Sequence, residues 1–222
     1  TLKPFYGTFP ELDNFASQIE LKKSSFSAAN RNVLVQTLRE QYAILKPSAE
    51  VAENLDLLEQ DNTFTITTGH QLCLMTGPLY FIYKIISTIN LCDQLKKKYP
   101  NSNFVPVYWM ASEDHDFEEI SAFRFQDKSI KWHREAAGAV GDLPLDDLQE
   151  VLHVFEQHLG SQPEANTVKE WIQTSYRSSK SLSEATFRLV NQLFGDKGLV
   201  VIEPNKAQLK HLFLLLFLFY LL

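Results

Sequence analysis

The stretch from Phe64 to Lys84, FTITTGHQLCLMTGPLYFIYK, constrains the fold more than any other part of the chain. Its opening residues, Phe64-Thr65-Ile66-Thr67, are β-branched and apolar and read as a short strand. Gly69 and Gly77 then frame a loop, and Pro78 stands at the first turn of a helix, where a missing N–H costs nothing and a fixed φ suits the geometry. Strand, glycine-containing loop and helix N-terminus, in that order, bring unpaired N–H groups and the positive end of a helix dipole to one place. That arrangement suits a phosphate or carboxylate.

The helix that follows is expected to bury Leu79, Ile82, Ile85, Ile86, Ile89 and Cys92, which recur at helical spacing. Tyr80, Lys84 and Ser87 share the opposite face. Lys84 reads equally as a solvated cation and as a group reaching an anion bound at the loop. Thr67-Thr68-Gly69-His70 also fits the T/H-x-G-H pattern of nucleotidylyl-transfer domains, and it lies between a strand and a helix as that pattern requires.

A chain of 222 residues, 45% of them hydrophobic, can bury one sizeable core with a small inserted lobe. The net charge of −6 excludes a basic nucleic-acid groove, and Lys96-Lys97-Lys98 falls where it complements a helix C-terminus. Cys73 and Cys92 form no disulfide framework or metal spacing, and no signal-peptide pattern opens the chain, so a cytoplasmic setting is expected. Thr1 is not a start residue, and the apolar run His211–Leu222 is shorter than the roughly 20 residues a membrane span needs. The chain therefore reads as a fragment, with no membrane partner.

Residues 11–22, 27–45 and 49–58 read as helices, the last capped by Ser48. Beyond the turn at residues 99–103, Phe104–Ala111 is apolar on both faces, as a strand between helix layers should be, although Pro106 counts against a central position. Strand, helix and strand make a βαβ unit with parallel strands. Ser112–Glu119 then brings five carboxylates and one imidazole to the carboxyl end of a parallel strand, where ligands bind in open α/β sheets. Charges packed this densely need solvent, a helix N-terminus, a divalent cation or a substrate ammonium beside them. A capping box, Asp116 with Glu119, accounts for Asp116, Glu118 and Glu119. It leaves Glu113, Asp114 and His115 as candidates for chemistry.

From Ser121 the pattern changes. Phe123, Phe125, Ile130 and Trp132 alternate about the turn Asp127-Lys128-Ser129 and predict a β-hairpin, with His133 at its surface. Ala136–Asp142 reads as a flexible link. Helical stripes follow over 148–159 and 164–176, with His153 and His158 solvated, and a capping box at Ser181–Glu184 opens a third helix ending at Gly195. Gly198–Pro204 returns to a buried strand, with Glu203 at its end. The fold class is thus α/β, in three parts: residues 1–120 as N-terminal helices and the first part of the core, 121–197 as an insertion, and 198–222 as a return to the core.

Four segments together resemble a known family: TTGHQ (Thr67–Gln71), TGPLYFIYK (Thr76–Lys84), PVYWMASEDHDFEE (Pro106–Glu119) and SKSLSEATFRLVNQLFGDKGLVVIEP (Ser179–Pro204). They are similar to the bacillithiol biosynthesis cysteine-adding enzymes, the BshC cysteine ligases, and Lys3–Tyr6 and Phe26–Tyr42 fit that family's N-terminal region. The resemblance implies a Rossmann-like parallel sheet of the class I synthetase and nucleotidyltransferase kind, an inserted connecting region, and a coiled coil that pairs subunits into a homodimer. Members of the family are much longer than this chain, and many carry Gln where it has His70. The implied activity joins L-cysteine to the amino group of a glucosaminyl malate, and activation of a carboxyl group implies ATP. On this reading Thr68, Gly69, His70 and Gln71, with Thr76, Gly77 and Pro78, hold an anionic group, extended by Tyr80 and Lys84, with Trp109 nearby. Asp114, with Glu113 and Asp116, binds the cysteine ammonium or a divalent cation. His115 accepts the proton of the attacking amine, and His70 is a further catalytic candidate. The alternatives are a nucleotidylyl transferase reading TTGH literally, and a non-catalytic binding or scaffold domain.

Overall fold

The computed structural model describes residues 7–212. The segment Lys3–Tyr6 and most of the apolar run at 211–222 lie outside the described residues.

Three helices open the chain. A short 3-10 turn at Leu12–Asn14 leads into α1 (Phe15–Ser25), so this helix starts later than its sequence implies. The next two, α2 (Ala28–Tyr42) and α3 (Ala49–Leu57), begin at Ser27 and Ser48, whose hydroxyls accept the Asn30 and Val51 N–H groups. The sheet then forms from β1 (Thr63–His70), α4 (Tyr80–Lys98) and β2 (Asn103–Met110), a parallel βαβ unit. After β2 come α5 (Phe117–Ile120), the hairpin β3 (Ala122–Phe125) and β4 (Lys128–Lys131), then α6 (Gln149–Leu159), α7 (Pro163–Thr174) and α8 (Leu182–Phe194). The chain returns to the sheet as β5 (Val200–Ile202), parallel to β2, and the strand order is β1-β2-β5. A three-stranded parallel sheet flanked by helices, with an α+β insertion between its second and third strands, is the expected Rossmann-like arrangement.

Four details differ from the sequence reading. First, β1 is longer than Phe64–Thr67: Gly69 and His70 pair with Trp109 and Met110, because β2 stays apolar and extended alongside them. Second, Pro106 sits in the central strand. It is tolerated because β5 pairs only with Val107–Trp109, so the missing N–H falls outside that ladder. Third, α4 buries Phe81, Ile85, Thr88, Cys92 and Leu95, leaving Leu79 64% and Ile86 41% exposed. Apolar residues surround this helix's first turns, so spacing alone does not pick out the face that Phe81 anchors. Fourth, the hairpin turns at Gln126-Asp127, one residue early, with Gln126 at φ 53°.

The insertion shares the core of the sheet. Phe155 of α6 meets Phe123 and Phe125 of the hairpin at ring separations of 4.9 and 5.2 Å, and Trp132 lies fully buried against Phe117. A single cluster of buried side chains runs from α2 and α3 through the sheet into α6–α8. On the far strand, α2 clamps β5. The Gln41 amide donates to the Val201 carbonyl and accepts from the Glu203 N–H, and the Tyr42 hydroxyl accepts from the Val201 N–H. Among the described residues no helix is long and apolar enough to cross a membrane.

Candidate functional site

Two adjacent parallel strands, β1 and β2, deliver their carboxyl ends side by side, and the segments that follow them meet. The Gln71 side-chain amide donates to Asp114 Oδ2 at 3.0 Å and to Glu119 Oε2 at 2.5 Å. The ladder itself extends one step past the strands, since the Ala111 N–H donates to the His70 carbonyl. The loop after β1 and the acidic segment after β2 therefore form the two walls of one rim.

The first wall, residues 71–77, is tightly built. Leu72 and Leu74 are buried, the Leu74 N–H donates to the Ile120 carbonyl, and the Gly77 N–H closes a turn on Leu74. Met75 and Gly77 both lie at φ 59°, the left-handed region. At Gly77 a Cβ would sit 2.5 Å from the Cys73 Cβ, so only glycine fits. Gly69 is different: a Cβ there would meet Trp109 at an ordinary 3.7 Å. It is a strand residue rather than a loop glycine. Pro78 precedes α4 instead of lying in its first turn, and its carbonyl accepts the Phe81 N–H. Thr76, Gly77 and Pro78 nonetheless lead straight into the helix N-terminus, which has no side-chain cap.

His70 closes the floor between strand and helix. Its ring stacks on Tyr80 at 5.1 Å and meets Phe81 edge-on at 5.3 Å. Nδ1 lies 3.1 Å from the Gln71 carbonyl, so it carries the proton and leaves Nε2 as a lone pair, sealed from solvent without a partner. Burial lowers the imidazole pKa and the Lys84 charge lowers it further, against the Gln71 carbonyl, which raises it. His70 is thus held neutral. Lys84 donates to the Gly69 carbonyl, so its ammonium stands beside the end of β1.

The second wall carries the charge. Asp114 Oδ1 accepts the His115 N–H at 2.7 Å and the Asp116 N–H at 3.2 Å. With Gln71 on its other oxygen, the carboxyl stays below the usual carboxylate range, chiefly through that Gln71 hydrogen bond and against partial desolvation. Asp116 caps α5 by accepting the Glu119 N–H at 3.4 Å, and Glu118 pairs with Lys131 at 3.2 Å. Glu113 and His115 are exposed, with His115 Nδ1 3.4 Å from the Glu113 carbonyl. The crowding of carboxylates is eased by partners on four of them, with Asp114 and Glu119 sharing the Gln71 amide, Asp116 capping α5 and Glu118 pairing with Lys131, while Glu113 lies exposed. Among the described residues no group of three or more His, Cys, Asp or Glu side chains is placed to hold a metal ion. Trp109, half-buried in β2, lies across from Gly69 and beside Ile202.

Three features of the rim were not foreseen from sequence. Tyr108, fully buried, donates to the His70 carbonyl at 3.3 Å. Gly141 packs directly on Ser112: a Cβ would stand 2.6 Å from the Ser112 Cβ, and the Gly141 N–H donates to the Ser112 carbonyl at 3.0 Å. Hence Val140–Asp142 is a 3-10 turn behind the acidic segment, with Val140 and Gly141 buried, not the end of a flexible link. Third, the Met75 N–H donates to the hydroxyl of Tyr176, from the insertion. A cavity of about 330 Å³ opens one strand further along, by Glu203, Gln41, Ser183 and Lys206. It is separate from the rim that Gln71 bridges.

These features define a Rossmann-like α/β domain with a polar site at the carboxyl rim of its first two strands. Residues 1–221 match the family model described as bacillithiol biosynthesis BshC, N-terminal Rossmann-like domain. The chain belongs to the BshC family. It is 51% identical over 213 residues to a Flavobacterium johnsoniae protein named "Putative cysteine ligase BshC", covering 96% of this chain and 40% of that one. Proteins of the same name from Flavobacterium psychrophilum and Christiangramia forsetii are 48% and 46% identical, each with 96% of this chain and 40% of the relative covered. The chain thus spans about 40% of the length of these curated relatives.

Proposed function

We propose that the chain supplies the first part of the active site of an ATP-dependent cysteine ligase, which forms an amide between the L-cysteine carboxyl and the amino group of a glucosaminyl malate. The observation that carries this reading is the Gln71 bridge to Asp114 and Glu119, because it draws the two strand-end segments into one site. The names of the relatives support the ligase class; the carbon–nitrogen bond, the ATP and the substrates are this reading's own. The cytoplasm, where both free cysteines stay reduced, is the matching compartment.

The geometry supports the following roles. Asp114, held ionised, is the acceptor for the cysteine ammonium, with Glu113 and Asp116 adding negative potential. His115 is exposed, and its Nδ1 faces a carbonyl, so Nε2 is the free base. As the sugar amine attacks the activated cysteine carboxyl carbon, the C–N bond would form, the carbon–oxygen bond to the leaving group would break and that group depart with the electron pair, and His115 Nε2 would take the amine proton. The uncapped first turn of the 19-residue helix α4 fits an anion, and Thr76 and Lys84 would hold the phosphates of ATP or the malate carboxylate there, with Gly77, its N–H closed on Leu74, letting the backbone come close. When bound, ATP supplies the leaving group that makes the carboxyl reactive. Thr68 and Trp109 line the approach, and Tyr80 covers the neutral His70, which serves as a wall of the site. In the family such proteins are expected to act as homodimers.

Asp114→Ala and His115→Ala in the full-length protein test this directly. Cysteine-dependent product formation should fall at least about a hundredfold for Asp114 and roughly tenfold to a hundredfold for His115. Near wild-type ligation by both variants would end the assignment. Pyrophosphate exchange from ATP that does not need cysteine would support a nucleotidylyl transferase instead.

A further inference from the structure

The insertion carries no side chain in the roles assigned above, yet one of its residues shapes the first wall. Tyr176 follows α7, is 0% exposed, and its hydroxyl accepts the Met75 N–H at 2.7 Å across 101 residues of sequence. Met75 is one of two non-glycine residues with positive φ among those described. A residue with a side chain holds that conformation only when its surroundings impose it. Here the Tyr176 hydroxyl fixes its N–H, while Leu74 is tied to Ile120 and Gly77 back to Leu74. Gln71 lies four positions before Met75 and α4 begins five positions after it, so the turn at Met75 sets the spacing between them.

We propose that Tyr176 is a positioning residue for the site: by holding Met75 in the left-handed conformation it places Gln71 against Asp114 and sets where the α4 N-terminus begins, which makes the insertion a working part of the rim. The hydroxyl touches no substrate and transfers no proton. It acts through the loop. The link to ligation rests on the function proposed above; the hold on the loop does not.

The test uses the full-length protein with Tyr176→Phe, Met75→Gly, and both changes together. Amide hydrogen exchange over residues 71–77, melting temperature, and kcat and KM for each substrate are the readouts. Tyr176→Phe should leave the melting temperature within a few degrees, speed exchange at Met75 at least about tenfold, and lower kcat/KM by about tenfold to a hundredfold through displacement of the loop. Most of the loss should fall on KM for cysteine, whose ammonium Asp114 receives. In the double variant, glycine takes the positive φ without being held, so kcat/KM should recover most of the loss while exchange stays fast. Unchanged exchange in Tyr176→Phe overturns the proposal. A fall in activity that follows the melting temperature and is not relieved by Met75→Gly does so too, since that marks an ordinary core residue. The exchange arm judges Tyr176 whatever the reaction is. If instead Asp114→Ala still ligates cysteine while Tyr176→Phe behaves as expected, it is the assignment of Asp114 that falls.

Discussion

Residues 71–77 and 112–119 occupy equivalent places, each running from a parallel strand toward a helix, and they are built in opposite ways. The first is shaped by sterics: buried leucines, two residues at positive φ, and a glycine with no room for a methyl group. The second is shaped by hydrogen bonds and left largely open, with Glu113, His115, Asp116, Glu118 and Glu119 exposed. The contrast separates the tasks. Shape comes from the wall that carries no charged side chain of its own, and charge from the wall that water can reach. Gln71 joins them, neutral on the rigid side and hydrogen-bonded to two carboxylates on the other.

Substitutions can break this contrast, and the largest effect should come from the rigid wall. Gly77→Ala adds a methyl group 2.5 Å from the Cys73 Cβ at φ 59°, and should cost about 3 kcal/mol or more, read as a lower midpoint in urea. An alanine variant with wild-type stability would show that the loop is not held as described. Next comes the bridge. Gln71→Leu removes the main influence that keeps Asp114 acidic, so the Asp114 carboxyl should titrate higher by carboxyl-carbon NMR. The sign for stability follows: a depressed carboxyl stabilises the fold above its unfolded pKa of 3.8 and loses that contribution as pH falls through the folded value. The variant should therefore show a shallower acid limb of stability.

His70 gives a gentler test from the floor of the site. Its folded pKa lies below 6.5, so the unfolded chain binds the proton first as pH drops. Its contribution is complete above pH 6.5 and is lost as pH falls through the folded value. Proton NMR of the imidazole should place the midpoint below 6.5, and His70→Gln should flatten that part of the profile. The smallest effect belongs to the open wall. Glu118→Gln breaks an exposed ion pair with Lys131 and should change stability by less than about 0.5 kcal/mol in denaturant titrations. A change several times larger would mean that the second wall is not the loosely tied segment described.

Much of this was legible in the residues. Strand-end position marked the acidic segment, and the order of strand, loop and helix marked the other wall; the meeting of the two follows from parallel neighbours in a sheet. The family resemblance likewise agreed with the match over residues 1–221. What escaped the sequence depended on contacts between distant segments. The α4 stripe holds at Ile85 and Cys92 but not at Leu79 and Ile86, because apolar side chains surround its first turns and only packing against β1 and β2 selects Phe81 over Leu79. Gln71 reads as an anion donor until the Asp114 and Glu119 carboxylates are seen beside it. Tyr176 carries no motif at all, since a lone tyrosine after a helix does not announce a partner 101 residues back. Gly141 sits in a glycine- and alanine-rich run whose composition reads as slack.

That last glycine has an evolutionary corollary. With Ser112 pressed against its α-carbon, position 141 is a backstop that admits a hydrogen atom and nothing larger, while Gly138, three residues earlier, has open space around it. Natural variation along this short run should therefore be uneven: at Gly138, where a φ of 79° favours glycine but leaves room for asparagine or aspartate, occasional exchange, and at Gly141 an invariance that safeguards the footing of the acidic residues without contributing any reactive group.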